Sequence, residues 1–352
     1  MKERDSNIEL LRIIATLFIL ILHCNGWFLR EWGGITSWNT GNTIVAACRI
    51  LTQNVTLLGV DVFILISGFY GMRPKLKSMV NLFTLLLFFY VGCYLWNCGI
   101  GNETFSAAGL FGNILAFSRR NWFINSYLFL MLLSPLINSF IDSVETKKIG
   151  IYTILYCVIT LYFGYYRGNE YWYYNEAYSV TMMVGVYLVG RYLYKIIDKF
   201  NEIKYRYLVF SFMGIIGLMS IIRVLSSNEE AWLHYGSPIT MSAAVLLFML
   251  FYRIPKFQSK SINWIASSCL ASFILHTCDP VFSWLVRKDV MWFINDIYIV
   301  YCLKIGVAIL GVFISAVILT RCERRLYTGV DSGGKERIKS TVGKTYHTDF
   351  HG

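Results

Sequence analysis

Apolar runs recur along the whole chain, each about as long as a bilayer-crossing helix and each set off from the next by a short polar or basic stretch. A spanning helix needs about 20 mainly apolar residues. By that measure the pattern predicts ten helices, near residues 7–29, 43–70, 78–97, 122–140, 149–166, 178–197, 206–224, 238–254, 262–285 and 298–320. The stretches between them leave no room for a soluble domain. The expected fold class is therefore all-α, a polytopic integral membrane protein with about ten transmembrane helices. The first run is too long for the apolar part of a cleavable signal peptide and lacks a small-residue cleavage site, so it is expected to remain as the first span. From about residue 328 the periodicity stops and Gly, Ser, Thr and Lys take over, which marks 327–352 as a disordered tail on a transmembrane unit of residues 1–326.

Composition supports this reading. Of the 352 residues, 56% are hydrophobic and only 15% charged, with a mean hydropathy of +0.52. A soluble domain carries about 25% charged residues, so the missing charges imply a surface facing lipid. The formal net charge of +11 would suit a nucleic-acid partner, but the basic residues fall in short clusters between apolar runs. Such clusters orient membrane proteins, and the expected partner is the lipid bilayer, not nucleic acid. With the N-terminus inside, 22 of the 32 Lys and Arg lie in cytoplasmic segments and 7 in outer loops, while Arg12, Arg49 and Lys304 fall within spans. Both termini are therefore expected in the cytoplasm. The nine cysteines lie nearly all in apolar runs without CxxC pairs and read as small buried hydrophobes. No metal site is expected, and His347 and His351 in the tail are too sparse for one.

Ionisable residues inside spans are costly and mark candidate chemistry. Here they are Glu9, Arg12, His23, Arg49, Asp61, His276, Asp279 and Lys304. Arg12 and His23 are eleven positions apart, which on a helix brings them within roughly 20° of one face and about 16 Å apart along the axis. Glu9, three residues before Arg12, is close enough to pair with it. Arg12 and Glu9 also read as interfacial residues reaching for water, and His23 as an interhelical hydrogen-bonder. In the ninth run His276 reaches about the depth of His23. Pro280, four residues later, cannot donate to the His276 carbonyl, so a kink is expected there. Asp279 is one turn from His276, within reach to orient it. Arg49 and Lys304 sit about six residues inside the outer ends of their spans and are open to the same interfacial reading. The pattern allows a polar cluster in the outer half of the membrane, drawn from spans 1, 2, 9 and 10.

The run IELLRIIATLFILILHCNGW resembles the opening of the acyltransferase-3 family of membrane acyltransferases, whose hallmark is an Arg or Lys separated by ten residues from a His, here Arg12 and His23. GVDVFILISGFYGMRPK (59–75) is similar to the family's G-V-D-L-F-F-x-x-S-G-F signature with its basic loop. NWFINSYLFLMLLSPLIN (121–138) and SFILHTCDPV (272–281) resemble two further elements, with Phe273 where the family usually has Tyr. The resemblance covers about residues 5–325 and implies a bare acyltransferase unit without an appended hydrolase or racemase domain.

It implies transfer of an acyl group, most often acetyl from acetyl-CoA as co-substrate, to a hydroxyl of a bacterial cell-envelope carbohydrate such as O-antigen, capsule, exopolysaccharide or peptidoglycan. The enzyme is then expected in the inner membrane. A neutral imidazole is the usual general base for so weak a nucleophile, and His23 is the candidate. Catalytic roles carry over to His23, Arg12 and His276. Acyl-CoA binding carries over to Arg12, Asp61, Ser67, Arg73 and Lys75, since Arg suits phosphate, and acceptor binding to Arg49, Trp122 and Asp279. An acyl-His relay is an alternative to direct attack. A transporter or flippase for a lipid-linked or small anionic substrate is the alternative function, using the same intramembrane Arg and His.

Overall fold

The computed structural model describes residues 5–35, 38, 40–115, 122–165, 177–226 and 229–345, and their side chains except at 115, 163–165 and 326–345. Lys2, Arg4, Arg119, Arg120, Arg167, His347 and His351, which entered the sequence reading, lie outside the described residues.

Helix α1 (Ser6–Leu22) widens at its end into a ten-residue π-helix (His23–Trp32). There follow α2 (Thr43–Tyr70), α3 (Leu76–Gly99), a short α4 (Ala107–Leu115), α5 (Trp122–Ser143), α6 (Thr146–Tyr165), α7 (Val180–Ile196) and α8 (Tyr205–Leu225). The C-terminal part comprises α9 (Pro238–Tyr252), α10 (Lys260–Ala266), α11 (Cys269–Thr277), α12 (Asp279–Asn295) and α13 (Tyr298–Thr345). No strand occurs among the described residues.

The fold is all-α and built for a membrane, but the span count differs from the ten expected. Among the described residues seven helices are long and apolar enough to cross, or eight if the bent pair formed by Lys260–Thr277 and Asp279–Asn295 is one span. The ninth apolar run is broken because Cys278 is extended (φ −71°, ψ 138°) and Pro280 opens α12, so the two parts meet at 74°. The eighth run yields only the 15 residues of α9. The last span is Tyr298–Arg325, beyond which the helical backbone of α13 runs on to Thr345.

Helix α2 is the axis of the bundle, packed by α1, α7, α8 and α9. Its close crossings rest on glycine. A Cβ at Gly59 would stand 2.7 Å from the Ala15 carbonyl oxygen, and one at Gly190 of α7 would stand 2.6 Å from the Leu65 carbonyl oxygen. With no apolar driving force between helices in lipid, such small-residue contacts let backbones approach and gain dispersion energy. The lipid face is explicit on α13, where Ile299, Leu303, Val307, Leu310, Ile314 and Ile318 form an exposed stripe at helical spacing.

At the end of the bundle that holds Ser6, polar groups tie the helices together. Asn7 Nδ2 donates to the Phe251 carbonyl at 3.0 Å and Lys256 pairs with Asp5 at 3.2 Å. Between α2 and α3, the Met72 amide donates to Tyr187 Oη (2.9 Å), Tyr187 Oη donates to Asn138 Oδ1 (2.8 Å), and Asn138 Nδ2 donates back to the Met72 carbonyl (2.8 Å). Arg191 pairs with Asp142 beside them at 3.1 Å. Arg73 and Lys75 are exposed in the same loop.

Candidate active site

The site begins where α1 changes pitch. A π-helical stretch costs backbone order and is found disproportionately at functional sites; here it starts at His23. A polar clamp holds it against α2. Asn25 Nδ2 donates to Gln53 Oε1 (2.9 Å) and to the Arg49 carbonyl (3.0 Å), and Arg49 Nη2 donates back to the Asn25 carbonyl (3.0 Å). Gly26 leaves room for this clamp, since a Cβ there would lie 2.8 Å from the Gln53 side-chain amide and displace it.

The second element is α11, which ends one residue before the break at Cys278 and carries the fully buried His276. The 74° bend lets α12 fold back onto the π-helix, where Phe282 packs on Trp27 and Phe28 with ring centroids 5.3 Å apart in both cases. His276 is thereby set against His23: Nδ1 of His23 and Nε2 of His276 are 2.9 Å apart. On its other side His276 Nδ1 lies 3.2 Å from the Ser272 carbonyl.

Chemistry assigns the protons in this chain. A carbonyl can only accept, so His276 Nδ1 is the donor and, in the neutral ring, its Nε2 is an acceptor. His23 Nδ1 must then donate to it. The remaining nitrogen of a neutral His23, Nε2, carries a lone pair.

His23 forms part of the wall of a cavity of about 620 Å3, a size typical of small-molecule sites. Trp27, its ring centroid 5.2 Å from that of His23, lines the cavity together with Gly26 and Phe273, and so do Trp122, Tyr178 and Tyr235. Trp122 lies against Tyr178 (4.9 Å) and nearly parallel to Tyr235 (5.8 Å, 28°). Phe273 reaches Phe123 at 4.9 Å and His276 at 5.3 Å, so an apolar ring fills the place of a hydroxyl-bearing one.

A further part of the lining is a turn, 234–237, hung from the middle of α2. Asp61 is fully buried and its two carboxylate oxygens accept from the Gly236 amide at 3.1 and 3.0 Å. Gly236 has φ +68°, and a Cβ there would also meet Met182 Cγ at 2.8 Å. Ser237 then caps α9 by accepting from the Thr240 amide (3.2 Å), with Pro238 opening the helix. The turn presents His234 and Tyr235 to the cavity. Burial holds the His234 imidazole below its usual pKa, against a smaller opposing effect of its hydrogen bond to the Tyr235 carbonyl.

The other residues singled out in the sequence are placed as follows. Arg12 pairs with Glu9 through contacts of 2.6 and 2.7 Å and keeps 22% of its side chain exposed, outside the cavity. Arg49 is 1% exposed, with its guanidinium 5.1 Å from the rings of both Trp38 and Phe293. It touches the π-helix but does not line the cavity, whereas Trp122 does. Ser67 donates to the Phe63 carbonyl at 3.1 Å and is 3.4 Å from Tyr127 Oη, towards the basic end of α2. Asp279 begins α12 beyond the break and is exposed, so the Ser272 carbonyl takes the orienting position it was expected to hold. Lys304 pairs with Asp296 at 2.8 Å.

Among the lining residues that the sequence reading did not single out are Glu31, Gln53, Tyr178, Arg223 of α8 and, on the loop before α9, Glu230, His234 and Tyr235. The Ser237–Pro238 helix start is a legible signal for the end of that loop, but nothing in it has a period that would aim it inwards. Among the described residues no group of three His, Cys, Asp or Glu is placed to hold a metal ion.

Compared with known proteins, residues 5–321 match a family model described as an acyltransferase domain. No curated protein and no solved structure matches the chain.

Proposed function

The chain belongs to the acyltransferase 3 family, and from that premise we propose that it moves an acetyl group from cytoplasmic acetyl-CoA to a hydroxyl of a cell-envelope carbohydrate, with His23 as general base. The observation that carries this reading is the chain of contacts from the Ser272 carbonyl through His276 to His23, a residue of the cavity wall.

In the proposed reaction His23 Nε2 removes the proton of the acceptor hydroxyl as its oxygen attacks the thioester carbonyl. A C–O bond forms, the C–S bond breaks, and the leaving thiolate takes the proton back from the imidazolium. Positive charge appears on His23 during this cycle. His276 Nε2, held as an acceptor, is placed to stabilise it, while Phe273 and the aromatic wall keep bulk water from the reacting atoms.

Donor and acceptor approach from opposite ends in this reading. The end of the bundle carrying Asp5, Arg73, Lys75, Arg191 and Lys256 is taken as cytoplasmic, which the 22-to-7 distribution of basic residues supports. Arg12, about 16 Å along α1 from His23, and the exposed Arg73 and Lys75 offer the acyl-CoA phosphates partners on that side. Reporter fusions after Lys77 and after Lys260 should read cytoplasm.

The test is acetyl transfer by membranes containing the protein, supplied with radiolabelled acetyl-CoA and total envelope glycan. Label should enter the glycan with wild type and should fall by about 100- to 10,000-fold with His23→Ala at equal membrane abundance. Retention of a tenth of the activity would remove His23 from the role. Transport of a lipid-linked or anionic substrate without thioester cleavage would replace the reading altogether.

A further inference from the structure

The cavity has a charge pattern that narrows what can enter it. Two of its lining residues are cations, and each already faces a carboxylate. Arg30 pairs with the exposed Glu230 at 3.1 Å. Arg223 is nearly buried; its Nη1 donates to Glu229 at 3.0 Å and its Nε to Asn54 Oδ1 at 2.6 Å. Trp38 completes this arrangement, its indole nitrogen donating to Glu229 at 2.9 Å and its ring lying 5.2 Å from the Arg223 guanidinium. Glu31 adds a further carboxylate to the lining. His234 Nδ1 is occupied by the Tyr235 carbonyl, 2.9 Å away.

The aromatic part of the lining is different in kind. Trp122, Tyr178 and Tyr235 form one aromatic surface, anchored through the turn that Asp61 holds. Aromatic faces of this size gain from contact with the apolar C–H face of a ring, and their phenol groups still offer hydrogen bonds.

We infer that the acceptor subsite takes an uncharged, hydroxyl-bearing ring laid against Trp122 with one hydroxyl towards His23, and that it discriminates against acceptor units bearing a carboxylate or phosphate. This rests on the reading of the site as one for hydroxyl acylation. An anionic unit would give up its water in a cavity whose cations are already engaged, and an unpaired buried charge is costly. A neutral ring has no such charge to desolvate, finds a flat apolar face, and can share hydrogen bonds with the imidazole and phenol groups around it.

The experiment labels total envelope glycan with wild-type membranes and radiolabelled acetyl-CoA, digests it, and identifies by mass the units that carry label. Neutral sugars should carry it at least tenfold over uronic acids and phosphorylated units, after correction for their abundance. Equal or greater labelling of anionic units would overturn the inference while leaving acylation itself intact. Absence of label from every fraction, with wild type and His23→Ala alike, would overturn the reading beneath it, and the inference with it. A second arm measures Trp122→Ala and Trp122→Phe. Loss of the stacking face should raise the acceptor KM about tenfold, with kcat and the acetyl-CoA KM held within about twofold, and Phe should recover most of the loss. A fall in kcat with an unchanged acceptor KM would exclude Trp122 as the platform.

Discussion

The two ends of α1 show opposite ways of handling a polar group in a membrane. At the Ser6 end, Arg12 is answered within its own helix by Glu9, three residues away, and the neighbouring polar residues close rings of hydrogen bonds between helices. At the His23 end the polar chain crosses from α11 to the π-helix and stops at an open cavity. The first arrangement uses polar groups to bind helices to each other; the second delivers one to a ligand. Arg12, though paired, keeps 22% of its side chain exposed and so stays open to a second partner. An intramembrane polar group whose partners all stand on the same side of it argues for chemistry.

The comparison breaks first at His276. If it fixes the tautomer of His23, His276→Ala should lower kcat by roughly 10- to 100-fold, the usual effect of losing the partner that orients a functional imidazole. His276→Gln, whose side-chain oxygen can accept from His23 Nδ1, should recover a large part of it. As a purely structural interhelical bond, His276 would be worth about 0.6 kcal/mol, and both variants would then lower membrane abundance or melting temperature without touching kcat.

Next comes the closed end. Arg12→Ala should raise the KM for acetyl-CoA about tenfold, the loss of one charged hydrogen bond, and leave the acceptor KM alone. An unchanged acetyl-CoA KM in a protein that still folds would make the Arg12–Glu9 pair structural.

Asp61 sharpens the contrast from the side of the turn. Asp61→Ala leaves the Gly236 amide without its acceptor, a loss of about 1–3 kcal/mol, readable as a lower melting temperature in detergent. Because the turn carries His234 and Tyr235, the acceptor KM should rise with it. The smallest effect is expected at Lys304→Ala. Its half-exposed pairing with Asp296 has the character of a surface ion pair, worth between zero and about 1 kcal/mol, and activity should be unchanged.

Most of the helical runs and the depth shared by His23 and His276 were legible, because each depends on spacing along a single helix. Contact between spans 1 and 9 was not, since sequence spacing carries no information on which helices are neighbours. The π-helix at His23 escaped for a related reason: HCNGWFLREW has no residue that demands a wider pitch, and the contacts that hold it come from Arg49 and Gln53 on α2. Asp61 was placed with the acyl-CoA residues through its motif, while its carboxylate meets a backbone amide 175 positions away. Pro280 pointed to a kink; that it ends one helix and begins another follows from the extended Cys278.

The shortness of α9 has a consequence for the bilayer itself. Fifteen residues rise about 22 Å at about 1.5 Å per residue, against an apolar layer of about 30 Å, so even an upright α9 leaves the 229–237 turn at hydrocarbon depth. Irregular backbone survives there only when it is enclosed by protein or wetted, and this turn borders the cavity. The apolar span that α9 presents is therefore about 8 Å shorter than the layer around it, a mismatch that local thinning of the bilayer or the enclosed turn must absorb.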